Sequence, residues 1–149
     1  MRTSVNLALQ LTAIIVATAL RFTQPGWLVV IFVIYGIGPA LLLAQVVLAA
    51  VAMGRPRIPG SVAAPFVIAA ASLVTANLLI ADMGDGPRLH SPLELVTGFL
   101  PDALQSAGWF LMVVWIASLG WALVALCVTW PRQRVLPPPA YAMPGPAAP

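Results

Sequence analysis

Across residues 3–20, 27–53, 61–81 and 103–130 this chain carries no charged side chain. A helix rises about 1.5 Å per residue, so about 20 apolar residues cross the ~30 Å hydrocarbon core of a bilayer. The first stretch would reach ~27 Å and barely spans. The second would reach ~40 Å as an ideal helix, so it must tilt, kink or protrude. Pro39 supplies a place to kink, because it has no N–H to give the carbonyl of Tyr35, and Gly36 and Gly38 flank the site. Pro65 falls in the first turns of the third stretch, where proline costs least. The fourth stretch ends against Pro131. None of the four alternates apolar and polar residues, which excludes a transmembrane barrel. The fold class implied is all-α: a polytopic transmembrane four-helix bundle occupying residues 1–130.

Composition agrees with this reading. Hydrophobic residues make up 61% of the chain and charged ones 7%, where a soluble domain carries about 25% charged residues. A net charge of +3 raises nucleic acid as a partner. The arginines do not fit it: they stand singly or in pairs at the ends of apolar runs, never as a patch interleaved with aromatics. The expected partners are the lipid bilayer and either another membrane protein or a second copy of this chain, with no nucleic acid.

The connections add detail. Residues 21–26 include Pro25-Gly26, a tight turn that makes the first two spans antiparallel neighbours. Residues 54–60 form a second tight turn. The third connection, 82–102, is the long one. Within it, Ser91-Pro92-Leu93-Glu94 is a capping-box pattern with proline at the first helical position. Leu93, Val96, Phe99 and Leu100 follow at helical spacing, which predicts a short amphipathic helix on the membrane surface or over the mouth of the bundle. Residues 131–149 are proline-rich and read as a disordered or polyproline-like cytoplasmic tail. The tail includes Pro138-Pro139-Ala140-Tyr141, a match to the PPxY pattern that WW domains bind. Chance in a proline-rich segment accounts for it better.

Orientation follows from the arginines. With the N-terminus cytoplasmic, Arg2, Arg55, Arg57, Arg132 and Arg134 lie inside, while Arg21 and Arg88 lie outside. The positive-inside rule therefore places both termini in the cytoplasm of a plasma-membrane protein. The acids Asp82, Asp85, Glu94 and Asp102 then fall in or beside the external loop. Residues 1–19 also resemble a signal peptide, with Arg2, an apolar core and Ala17-Thr18-Ala19 as a small-residue cleavage site. Asn6 and Gln10 dilute that core, so a retained first span is the expectation.

No catalytic, cofactor-binding or metal-binding constellation emerges. Ion-coupled transporters and proton relays need an ionisable group at mid-membrane depth, and here every Arg, Asp, Glu and His lies at or beyond a helix end. His90 and the four loop acids lack metal-site spacing and are expected simply to be solvated. Cys127, the single cysteine, is expected to be a small buried apolar residue.

Small residues suggest where helices touch: Gly36, Ala40 and Ala44 on the second span, Ser72 and Ala76 on the third, Ser118, Ala122 and Ala125 on the fourth. Trp27, Trp109 and Trp130 suit interfacial belts, whereas Trp115 and Trp121 lie deeper and are expected to pack against helices or lipid. Gln10 and Gln45 sit at similar depth on antiparallel neighbours, which predicts that their amides pair. The leading functional expectation is a non-enzymatic membrane protein acting through protein or lipid contacts. The alternative is a small transporter or channel component that moves solute without a titrating group.

Overall fold

A computed structural model describes residues 1–23, 25–55, 57–82 and 90–129. The described chain is all-helical: α1 (Thr3–Phe22), α2 (Trp27–Ile34), α3 (Ile37–Ala52), α4 (Gly60–Leu79), α5 (Pro92–Thr97) and α6 (Asp102–Thr129). Residues 131–149, and with them the PPxY match, lie outside the described residues, as do Asp85, Arg88 and Trp130.

Three of these helices, α1, α4 and α6, are long and apolar enough to cross a membrane, and the count becomes four if α2 and α3 are one span bent by 67°. The bend forms at Tyr35-Gly36. Gly36 takes a left-handed conformation, φ 66°, that a residue with a Cβ adopts only at a cost. Pro39 is therefore not at the break. It is the third residue of α3, in the turn where amide donors have no intrahelical partner anyway. The expected bend is present, but Gly36 makes it and Pro39 merely tolerates it. Were the pair one span, the bend would also shorten it. With α3 along the membrane normal, sixteen residues rise ~24 Å and the eight of α2, inclined by 67°, add only ~5 Å, close to one hydrocarbon core.

The interior forms around α4. It packs against α1 on one side and α6 on the other, and α3 closes against α1 and α6. Burial along each helix follows a 3.6-residue stripe: Asn6, Gln10, Ala13 and Ala17 on α1; Gly38, Gln45, Ala49 and Ala52 on α3; Trp115, Ser118, Ala122 and Leu126 on α6. Outside these stripes the surface is apolar. Ile15, Ile34, Leu43, Phe110, Val113 and Val124 are all more than half exposed, while the amides of Asn6, Gln10 and Gln45 are fully buried. Water-soluble chains arrange these classes the other way round.

Both ends are tied down by polar contacts. At one end the Met1 ammonium donates to the Ile58 carbonyl at 3.0 Å, and the Ile58 amide donates to the Met1 carbonyl at 2.9 Å. Arg55, buried beside them in the chain, donates to the Thr129 hydroxyl at 2.7 Å and the Leu126 carbonyl at 3.3 Å. It thus meets the unpaired carbonyls at the C-terminus of α6, the negative end of that helix. At the other end, α5 carries the expected capping box: Ser91 Oγ accepts from the Glu94 amide, and the Glu94 carboxylate accepts from the Ser91 amide. Gly98, at φ 75°, ends α5 after two turns.

Candidate functional site

The interior holds a chain of hydrogen bonds whose direction is fixed by chemistry. The indole of Trp115, on α6, can only donate, and it donates to Gln45 Oε1 on α3 at 2.7 Å. Gln45 must therefore present its Nε2 to the other side, where it donates to Gln10 Oε1 on α1 at 2.7 Å. Gln10 Nε2 then donates to the Phe66 carbonyl on α4 at 3.1 Å and to Asn6 Oδ1 at 3.4 Å. The relay crosses all four long segments. A donor-only group at one end and a carbonyl at the other assign both amide orientations without ambiguity. Its far end is open, since Asn6 Nδ2 is buried with no partner among the described residues.

Immediately beside the relay lies a half-open cavity of about 240 Å³. Its floor is at the level of Ala17, Leu42, Leu73 and Trp115, and its rim is at the level of Arg21, Phe22, Leu28, Ile80 and Trp109. Leu73 lies on α4 and Ile80, seven residues on, is its C-cap, which makes the cavity ~10 Å deep. It exists because α2 leans away at Gly36: Val29, Phe32 and Val33 form its outer wall where a straight helix would fill the space. Trp115 belongs to both features, its ring to the cavity wall and its N–H to the relay. Polar side chains are few in the lining: Thr18, Arg21 and Asn77. Asn77 gives its N–H to the Leu73 carbonyl at 2.8 Å.

Asp82 holds the outer wall in place. Gly26, at the N-cap of α2, has no side chain to cap with, and Asp82 does so from 54 to 56 residues away. Its two carboxylate oxygens accept from the Gly26 amide at 2.9 Å and the Leu28 amide at 2.8 Å. The negative charge also sits at the positive end of the α2 dipole. Arg21 flanks it more loosely, Nε to Oδ2 at 3.9 Å, while donating to the Ile80 carbonyl at 3.2 Å.

Several expectations need correction. Asp82 is buried rather than solvated. The described members of the acidic loop group do not converge: Asp82 caps α2, His90 Nδ1 lies 3.0 Å from Glu94 Oε1 beside α5, and Asp102 opens α6. Cys127 is exposed on α6 instead of buried. Of the small-residue faces, Ser72, Ala76, Ser118 and Ala122 are buried at contacts, but Ala40 and Ala44 face outward. Trp115, as expected, packs against the other helices and Trp121 is half exposed, but Trp115 also takes a hydrogen-bonding role that its apolar neighbourhood did not announce. The Gln10–Gln45 pairing is present as expected. No protein-family model, curated protein or solved structure matches the chain.

Proposed function

We propose that this chain is a four-span integral protein of the plasma membrane, a four-helix bundle with both termini cytoplasmic, acting without catalysis through contacts with lipid or a partner membrane protein. The observation that carries this reading is the inverted distribution of side chains: large apolar residues outward on every long helix, amides inward. In hydrocarbon this arrangement is favourable, because apolar side chains lose nothing by facing lipid and the amides of Gln10 and Gln45 are bonded within the protein. In water it would expose a continuous apolar surface far larger than a monomer tolerates.

Counting α2 and α3 as one span gives an even number of crossings and puts the termini on one side. The five-to-two distribution of arginines supports the cytoplasmic side. The short α5 then lies at the external interface. Val96 is 85% exposed and Phe99 71% exposed, next to the polar His90–Glu94 pair, as suits a segment dipping into the headgroup region. Reporter fusions at residue 149 and within residues 84–91 test the topology. The expected readings are cytoplasmic and external respectively, and an external reading at residue 149 refutes it.

The transporter reading stands second. One arrangement favours it: the cavity lies beside the amide relay, and Trp115 belongs to both. Solute flux into proteoliposomes that rises when Trp115 is replaced by Ala would promote it above the first.

A further inference from the structure

We propose that the cavity in the elbow of α2 and α3 binds one acyl chain of an anionic membrane phospholipid, with the phosphate held at Arg21. This rests on the membrane reading above and names the lipid contact left general there.

The lining decides what can fill the space. A cavity of about 240 Å³ has room for several waters, but almost every side chain around it is apolar. Waters need two to four polar partners each, and apolar cavities of this order stay dry and take apolar guests instead. In a bilayer the guest nearest to hand is a hydrocarbon chain. Phe22, Val33 and Pro39 line the cavity and are also exposed on the outer surface, so the opening meets the surrounding lipid directly. The ~10 Å of depth between Ile80 and Leu73 runs along the helix axes, as lipid chains do.

The rim decides which headgroup. Arg21 is the sole charged residue in the lining among the described residues. Its guanidinium has five N–H donors, of which the hydrogen bond to the Ile80 carbonyl uses one. Its nearest acid, Asp82, directs both oxygens to the α2 amides at 2.8 and 2.9 Å and stands off from Arg21 at 3.9 Å. Donors therefore remain for a phosphate, the oxyanion whose geometry a guanidinium matches. A zwitterionic lipid offers the same phosphate with a compensating cation, so the preference expected is for a head with net negative charge.

Native mass spectrometry of the full-length chain, released from detergent with equal amounts of dioleoyl phosphatidylglycerol and dioleoyl phosphatidylcholine, tests this. The expected result is one retained phosphatidylglycerol per chain. Thr18→Phe and Val29→Phe, both partly exposed positions that point bulk into the cavity, should each weaken retention about tenfold. Two variants are used so that one may misfold, as judged by helicity and melting, without losing the test. Arg21→Gln should keep a lipid but lose the preference for phosphatidylglycerol. Equal retention of both lipids by the unaltered chain overturns the proposal, as does undiminished retention in a folded cavity-filling variant or retention of oleic acid alone. If the chain instead stays soluble and monomeric without detergent, the membrane reading itself has failed; a membrane-extracted chain with no bound lipid removes only this inference.

Discussion

At the Arg55 end the long helices meet through small residues and one ring of bulk: Ala49, Ala52 and Ala122 let backbones approach, while Val62, Phe66 and Leu126 fill what remains. At the Asp82 end only Leu28, Ala76 and Ile80 form a buried cluster, and a cavity lies beside it. The same four segments build both ends. The difference arises at Gly36, where the second segment leaves the bundle by 67°. Below the bend, packing holds the segment; above it, a remote carboxylate does. Packing along its whole length supports a helix inside the bundle, whereas one that leans away is pinned at its tip. An open site and a buried Asp82 are thus two consequences of one bend.

Removing the pin should produce the largest effect. Asp82→Ala takes the acceptor from two amides and strips Arg21 of its counter-ion, and breaking one side of a buried pair costs about 3 kcal/mol or more. Melting in detergent should fall, and a cysteine at position 30, in a Cys127→Ala background, should react faster as α2 loosens. Unchanged melting and unchanged labelling together would mean that α2 is held by something other than Asp82.

Crowding the hollow end at a tight contact of α6 comes next. A Cβ on Gly108 would lie 2.8 Å from Ile80 Cγ1 and 3.0 Å from Leu79 Cβ, with the Ile80 amide nitrogen 3.3 Å away. Overpacking of this kind costs about 1–3 kcal/mol, so Gly108→Ala should lower the melting point by a clear margin. Gly120→Ala on the same helix meets nothing within 4 Å and provides the control, with a gain of up to ~1 kcal/mol from helix propensity. Equal behaviour of the two variants would show that α4 and α6 do not touch closely at Gly108.

Much of this architecture was legible in the residues. The ends of the long helices fall within about two residues of the ends of the charge-free stretches. The bend was legible as a place but not as a cause: Pro39 marks the region, but Gly36 carries the left-handed φ there. The capping role of Asp82 was not legible, since no local pattern links an acid to an N-cap glycine more than fifty residues earlier. The outward turn of Ala40 and Ala44 has a similar origin. Residues advance about 100° around a helix, and the face that carries Gln45, Ala49 and Ala52 inward carries Ala40 and Ala44 out. The cavity was invisible because it is a property of a 67° angle rather than of any residue type.

Straightening the elbow should have a smaller effect than crowding it. Nothing lies within 4 Å of a Cβ at Gly36, so Gly36→Ala adds only the strain of φ 66°, about 1 kcal/mol. The chain can relieve that strain by opening the bend. Spin labels at residues 30 and 44 should then move apart, with little change in melting. An unchanged distance with a lowered melting point would show the bend to be fixed by the contacts of α2 rather than by Gly36.

The smallest effect is expected at the filled end, in the amide relay. Gln45→Leu leaves the Trp115 indole without its acceptor and Gln10 Oε1 without its donor, while Gln10→Leu frees Gln45 Nε2 and the second lone pair of the Phe66 carbonyl. Each single change therefore orphans more than one group. The double variant orphans fewer than the sum of the two, because the Gln10–Gln45 bond is lost only once. That surplus is the coupling energy, and bonds of this kind between membrane helices average only ~0.6 kcal/mol, since the unfolded chain in lipid finds other partners. Its sign is firm even though its size is small: the two losses should be less than additive in a double-mutant cycle measured by unfolding in mixed micelles. Trp115→Phe sharpens the result. It removes a donor from one end of the relay but leaves the Gln10–Gln45 bond intact, so the coupling between the glutamines should persist in that background. Strict additivity in both backgrounds would show that the two amides do not share a bond, and that the filled end is held by its small residues alone.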